Sequence, residues 1–577
     1  MKKNLINLSS KELEKRASIK YLPVIKLLKP SSKEFARLNQ GDKQALKHLI
    51  KAARYLEKAY LIQDNAKNLE FREYLMKEKK KGNNDAKNAL KIFDAQRGIN
   101  AIDRESNYVC LMKGEKVLAG KGFYPADLTV DEFHKILEKM IKNNKIDEVK
   151  NILSYRTIVV RDGEELKGID YTEFFKDEFQ NAARELQLAA RVSSNKQFNE
   201  YLMWQAEALS ENNLEYDAKA DKLWADMQDT PLEFTITREN YEDEMTGSVF
   251  ENDTLKKLFK KHNISPEAKD YLGVRVGIVN KKGTEMLLEI KKFLPILAKN
   301  MPRNNEYKQN ISSDSDSKQT MVDVDLVEIT GDVRSYRAGI TLAENLPNDN
   351  KPSLKIGGGR RNVYHRQIRL GANPKKIQRR LNAILDKEQH KYYNLEAEHW
   401  FTIGHENAHS LGPSENKAAL GQYQNIIEEN KADVTSFAML DILVKEGMYT
   451  KKQRDEILVT EIADSFLKTK PALSQAHRVR TVIQLKFFLD EGAIEVNKGK
   501  IHVNIEKIIP AARKMLETII DIQISQDAKK AKAYIDKYFV WTDEMETIAK
   551  KIAKLNKSLN GTVQAALANK LVSFKAY

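Results

Sequence analysis

The stretch His405-Glu406-Asn407-Ala408-His409 constrains the architecture of this chain more than any other. Residues i and i+4 of an α-helix lie one above the other on the same face, so a helix here lets both imidazoles reach a single ion. Glu406 is rotated about 100° around the axis from His405, which aims it at a water on that ion rather than at the ion itself. An ion that does chemistry takes three protein ligands and keeps one position open. Glu429, on the next helical run, is the candidate third ligand. Asp433 follows it at i+4, so Glu429 can face the ion while Asp433 accepts from the other nitrogen of a ligating histidine and fixes its tautomer. Glu428 is a second candidate for such backing. The chain must therefore pack two helices together with these faces inward.

Both helices are legible. Asn394 to Leu411 carries Leu395, Trp400, Phe401, Ile403, Ala408 and Leu411 without an internal proline, and Gly412-Pro413 supplies a stop. The second run is predicted from near Lys417 to about Glu446, through Ile426, Ile427, Ala432, Phe437, Leu440 and Leu443. Histidine is scarce, 10 in 577 residues, so a chance pair at ligand spacing is rare, and a correctly placed Glu-x-x-x-Asp makes it rarer. The ion that this ligand set suits is zinc.

A chain of 577 residues has room for several domains or two large lobes. Its apolar fraction of 41% and charged fraction of 31% are those of a soluble globular protein. Cys110 is the one cysteine, which excludes an internal disulfide and points to a reducing, cytoplasmic setting. The N-terminal residues lack the apolar core of a secretory signal, and no run is long and apolar enough to span a membrane. The net charge of +15 comes from lysines interleaved with acids, and no nucleic-acid motif accompanies it. Neither a nucleic-acid nor a membrane partner is expected, and the oligomeric state is left open.

Helices dominate residues 1 to about 150, with Thr129 as N-cap of one starting at Val130. Strands are predicted at Thr157–Val160, Val274–Val279, Val322–Ile329, Ala338–Leu342 and Asn362–Ile368, the third half-buried by its period-two alternation. Lys281 to Leu297 reads as helix and 303–320 as loop. Gly357-Gly358-Gly359 lacks the Gly-Lys-Ser/Thr ending of a phosphate loop and reads as a strand turn. From about Pro374 to Asn560 the chain is helical, apart from a hairpin at Ile494–Val503 turned at Lys498-Gly499. The fold class is α+β, mostly α.

Several motifs, in order, resemble the dipeptidyl peptidase III family of zinc exopeptidases, particularly its shorter bacterial members. They are Phe123-Tyr124-Pro125, the segment from Asp217 to Gly247 with Leu223-Trp224 and Glu239-Asn240-Tyr241-Glu242-Asp243, the run Asn345-Leu346-Pro347-Asn348, the HENAH stretch, Glu428-Glu429-Asn430-Lys431-Ala432-Asp433, and Ser474-Gln475-Ala476-His477. The resemblance covers roughly residues 120 to 510. It implies two lobes around a wide cleft. The lower lobe, with helices and a β-barrel-like core, would take 1–259 and 327–375. The helical, zinc-bearing upper lobe would take 260–326 and 376–577.

The resemblance further implies one zinc ion on His405, His409 and Glu429, with Glu406 as general base and Tyr241 and His477 as donors to the developing oxyanion. Glu239, Asn345 and Asn348 would hold the free amine of a short peptide from which a dipeptide is released. Arg478 and Arg480 are expected in solvent or salt bridges, and His399 in a structural place. Two features depart from the family pattern: the five-residue HENAH in place of HExxGH, and Ala343-Glu344 inserted just before Asn345. A thermolysin-like endopeptidase and a peptide-binding relative without turnover remain open as alternatives.

Overall fold

The computed structural model describes the chain except residues 1–3, 19–21, 23–26, 103–107, 240–242, 308–319, 332–342, 347–352, 354–355, 360, 366, 368–373, 414–416, 472, 474, 556–565 and 577. The long helix α1 (Gln40–Asp64) is capped by Asn39, whose side chain accepts from the Asp42 N–H. Its Leu46, Leu49, Ala53, Leu56 and Tyr60 recur at helical spacing and are buried. It packs against α2 (Lys176–Val192) on one side and against a five-stranded sheet on the other.

That sheet is curled into a half-barrel. Its strands are β1 (Leu232–Glu239), β2 (Tyr271–Val279), β3 (Thr320–Gly331), β4 (Ala343–Leu346) and β5 (Arg361–Tyr364), in the spatial order β1-β2-β3-β5-β4. All neighbours are antiparallel except β3 and β5, and β4 lies at an edge. The sequence predicts β3 as half-buried, with acids in solvent. Instead Asp323, Asp325 and Glu328 are buried along with its apolar residues. Glu328 is enclosed with a cation beside it: Arg54 of α1 donates to it at 2.8 Å.

After the sheet come the helices α3 (Leu395–Ala408), α4 (Gln424–Ala438), α5 (Lys451–Ser465), α6 (Ala476–Asp490), α7 (Ile505–Ser525), α8 (Asp543–Leu555) and α9 (Ala566–Leu571), among others. The hairpin of Ile494–Asn497 with Lys500–Val503 turns on two left-handed residues, Lys498 at φ 50° and Gly499 at φ 69°. The helix predicted over 417–446 is interrupted. A 3₁₀ segment at Lys417–Tyr423 contains Gly421 at φ 58°, and a second break falls between Ala438 and Leu440. The run from Lys281 likewise breaks into Lys281–Glu289, a 3₁₀ turn, and Leu294–Lys299, where a proline without an N–H starts the new segment. Residues 338–342 lie outside the described part.

Buried apolar residues form two large clusters. One joins the N-terminal helices to the sheet, and the other fills the α3–α8 bundle. A small third cluster joins the two, with Met321 of β3 and Tyr364 of β5 against Ile403 of α3 and Leu287 and Ile290. Two further stretches of the chain join the first cluster. The strands β2 and β3 place Tyr271–Ile278 and Val322–Ile329 in the first cluster, because β2 pairs with both β1 and β3. Leu567, Ala568 and Val572 also return to the first cluster. Arg54 holds them there, donating to the Val572 carbonyl at 3.0 Å, the Phe574 carbonyl at 2.6 Å and Asn569 Oδ1 at 2.9 Å.

Candidate metal centre

Helix α3 begins where Asn394 accepts from the Glu396 N–H, and His409 is its C-cap, still with helical dihedrals. The i, i+4 geometry therefore survives to the last residue of the motif. Helix α4 crosses α3 closely, Ser436 Oγ donating to the Phe401 carbonyl at 2.9 Å. The crossing brings His405, His409 and Glu429 together, with one ligand atom of each within 4.8 Å of the others. The two Nε2 atoms are 3.3 Å apart. His405 Nε2 lies 3.5 Å from Glu429 Oε2, and His409 Nε2 lies 4.0 Å from Glu429 Oε1.

The outer nitrogens are taken. His405 Nδ1 is 2.7 Å from Asp433 Oδ1, and His409 Nδ1 is 3.0 Å from Glu428 Oε1. A carboxylate at Nδ1 holds the proton there, which leaves both Nε2 atoms as lone pairs. With both rings neutral, two lone pairs and a carboxylate face one another, an arrangement that repels itself and is relieved by positive charge at this point, either a cation between the ligands or a proton on a ring. Zinc bonds of about 2.0–2.1 Å in a tetrahedron set ligand atoms about 3.3 Å apart, so the donor set fits zinc.

Electrostatics around the cluster follow from burial and pairing. Burial pushes the Glu429 carboxyl up, but His477, His405 and His409 in their protonated forms outweigh it and hold the group well below the usual carboxylate range. Burial likewise opposes the charge on Asp433, and Arg480 and His405 outweigh it, so the net direction is down. His409 is pushed down by burial and more strongly up by Glu428 and Glu429. His477 Nδ1 stands 2.9 Å from Glu429 Oε2, while 71% of its side chain remains exposed. Glu406 is half-buried on α3.

Of the remaining sequence candidates, Glu239 ends β1, its backbone paired with Tyr271. Asn345 is on the edge strand β4, paired with Asn362. Tyr241 and Asn348 lie outside the described residues. His399 is buried, its ring edge-on to Tyr364 at 5.8 Å.

Three residues of the site escaped the sequence reading, and a fourth, Arg480, takes a salt bridge as expected of it. Arg480 forms an ion pair with Asp433 and reaches His405 Nδ1 at 3.5 Å. Gln484 donates to Asp433 Oδ2 at 3.1 Å and Gln523 to Glu428 Oε2 at 2.9 Å. Lys431, with no exposed side-chain surface, lies 2.9 Å from Glu428 Oε1. A signal for Gln484 existed, since His477, Arg480 and Gln484 share one face of α6 at i, i+3 and i+7.

Fold and site together define a mostly helical α+β protein with a His–His–Glu cluster held between two crossing helices. Its fold is that of dipeptidyl peptidase III. The structure of DPP III from Caldithrix abyssi superposes with a TM-score of 0.80 at 24% identity, covering 97% of this chain and 100% of that one. Dipeptidyl-peptidase III from Corallococcus sp. strain EGB gives 0.75 at 20% identity, covering 99% and 100%. Among curated proteins, Nudix hydrolase 3 of Arabidopsis thaliana is 24% identical over 483 residues, 79% of this chain. The chain spans only 58% of that relative's length. No family model matches the chain.

Proposed function

We propose that this chain is a zinc-dependent metallopeptidase of the dipeptidyl peptidase III family, which releases dipeptides from the N-termini of short peptides in the cytoplasm. One observation carries the reading: on this fold, two imidazoles with carboxylate-held Nδ1 atoms turn their Nε2 lone pairs toward Glu429. His405, His409 and Glu429 would hold the ion. A zinc ion held by them would supply Lewis acidity toward a water and the scissile carbonyl.

Glu406 takes the proton from the attacking water and passes it to the leaving amine. His477, exposed at the start of α6, donates to the oxygen that gains charge, together with Tyr241. Asp433 and Glu428 keep the imidazoles in one tautomer, and Arg480 and Gln484 hold Asp433 in turn. The edge strand β4 offers main-chain groups to which an extended peptide adds as a further strand. Glu239, Asn345 and Asn348 would collect the peptide's ammonium group, which requires a carboxylate and amide oxygens. No helix among the described residues is long and apolar enough to cross a membrane, and the substrate class requires no nucleic-acid contact.

The deciding experiment pairs metal analysis with dipeptidyl-naphthylamides and peptides, free or acetylated at the N-terminus. About one zinc per chain and strong preference for the free amine are expected, because a blocked amine leaves the carboxylate unpaired. Equal cleavage of free and blocked peptides would point to a thermolysin-like endopeptidase. Peptide binding without cleavage would point to a relative without turnover.

A further inference from the structure

We infer that Lys431 is a positioning residue of the metal centre: its buried ammonium ties the end of α3 to the carboxylate that holds His409, and so fixes where the second imidazole points. This rests on the zinc reading above. The Lys431 side chain has no exposed surface. A buried ammonium is tolerated only when its hydrogens find acceptors. Here Nζ donates to the Leu411 carbonyl at 2.6 Å, reaches the His409 carbonyl at 3.4 Å, and lies 2.9 Å from Glu428 Oε1.

Those acceptors define the role. A helix leaves its last carbonyls without intrahelical partners, and a cation there also complements the helix dipole. His409 and Leu411 belong to the chain where α3 ends, so Lys431 caps that end from the neighbouring helix α4. The same Glu428 oxygen receives both Lys431 Nζ and His409 Nδ1, while Gln523 holds the other oxygen at 2.9 Å. The carboxylate therefore has no free rotation, and its bearing on Nδ1 is set partly by the lysine. Gly412 accommodates this. It adopts φ 87°, and a Cβ there would stand 3.2 Å from Lys431 Cδ, space that the lysine stem uses.

The test compares full-length wild type with Lys431→Met, loaded with zinc or cobalt(II). Rates of metal release to a chelator and the visible cobalt spectrum are read, with circular dichroism as a check on folding. Outer partners of ligating histidines are worth roughly 10–100-fold in metal affinity, so release about that much faster and a shifted cobalt spectrum are expected. Lys431→Gln, which keeps a neutral donor, carries the question should the methionine variant fail to fold; a smaller change of the same sign is expected. Wild-type release and an unaltered cobalt spectrum in a folded variant would overturn the inference. Failure of the wild-type chain to bind zinc at all would instead overturn the proposed function, and the inference with it.

Discussion

Gly404 and Ser436 touch so closely that a Cβ on residue 404 would stand 2.2 Å from Ser436 Oγ. Residue 404 precedes the first histidine of the cluster, and Ser436 lies on the helix that carries Glu429. The contact therefore sets the separation between the two halves of the ligand set. Gly404→Ala is expected to fold but to hold zinc at least about tenfold more weakly, with an overpacking cost of about 1–3 kcal/mol. Titration against a chelator together with thermal unfolding checks this. Unchanged affinity would show that the helices yield without disturbing the cluster.

His405→Ala and Glu429→Ala each remove a ligand atom. Zinc per chain, measured by elemental analysis after dialysis, should fall from about one to near zero. Retention of metal in both variants would move the ion elsewhere in the molecule.

Glu406→Gln keeps side-chain size and removes the basic oxygen. Turnover should drop at least about a hundredfold, as loss of a general base does, with zinc content and melting temperature close to wild type. Activity within tenfold of wild type would take Glu406 out of that role, since about a hundredfold is the lower bound for such a base.

A different group governs alkaline stability. Lys269 is buried and donates to the Ile152 carbonyl at 2.6 Å, the Ser154 carbonyl at 2.7 Å and Thr157 Oγ1 at 2.7 Å. Burial lowers its pKa from 10.5 to about 7, against the pull of Asp243 and Glu267. Between those two values the folded protein holds one proton fewer than the unfolded chain, so this group makes stability rise with pH across that window. Its cost is largest below the folded value and gone above the unfolded one. The slope is at most about 1.4 kcal/mol per pH unit. In Lys269→Met that component should vanish, which denaturant unfolding at several pH values would reveal. Equal slopes in both proteins would mean that the ammonium stays charged inside.

The sequence makes the ligand set legible because its information is local. Spacings of four residues bring His405 to His409 and Glu429 to Asp433, whatever surrounds them. What it hides is non-local. Lys431 reads as one charge in a polar run, and only the crossing of α3 and α4 shows that the run is buried. Glu328 of β3 reads as a solvent-facing acid until Arg54 arrives from far away in the chain. Gly421 and the break after Ala438 divide what periodicity reads as one helix, since apolar spacing continues across both interruptions. The likeness to dipeptidyl peptidase III was legible in ordered motifs and is matched by the fold.

The return of residues 566–576 to the first body bears on how the protein is made. Arg54 and Val572 are 518 positions apart, and their contact is buried. During synthesis the N-terminal helices and sheet leave the ribosome long before the piece that completes their core. Domains usually close in order as they emerge. Here the first body has to wait, with the carbonyls that its central arginine needs still unsynthesised, while the entire metal-bearing bundle is translated. Damage at residues 569–574 would therefore be felt at Arg54, more than 500 positions earlier.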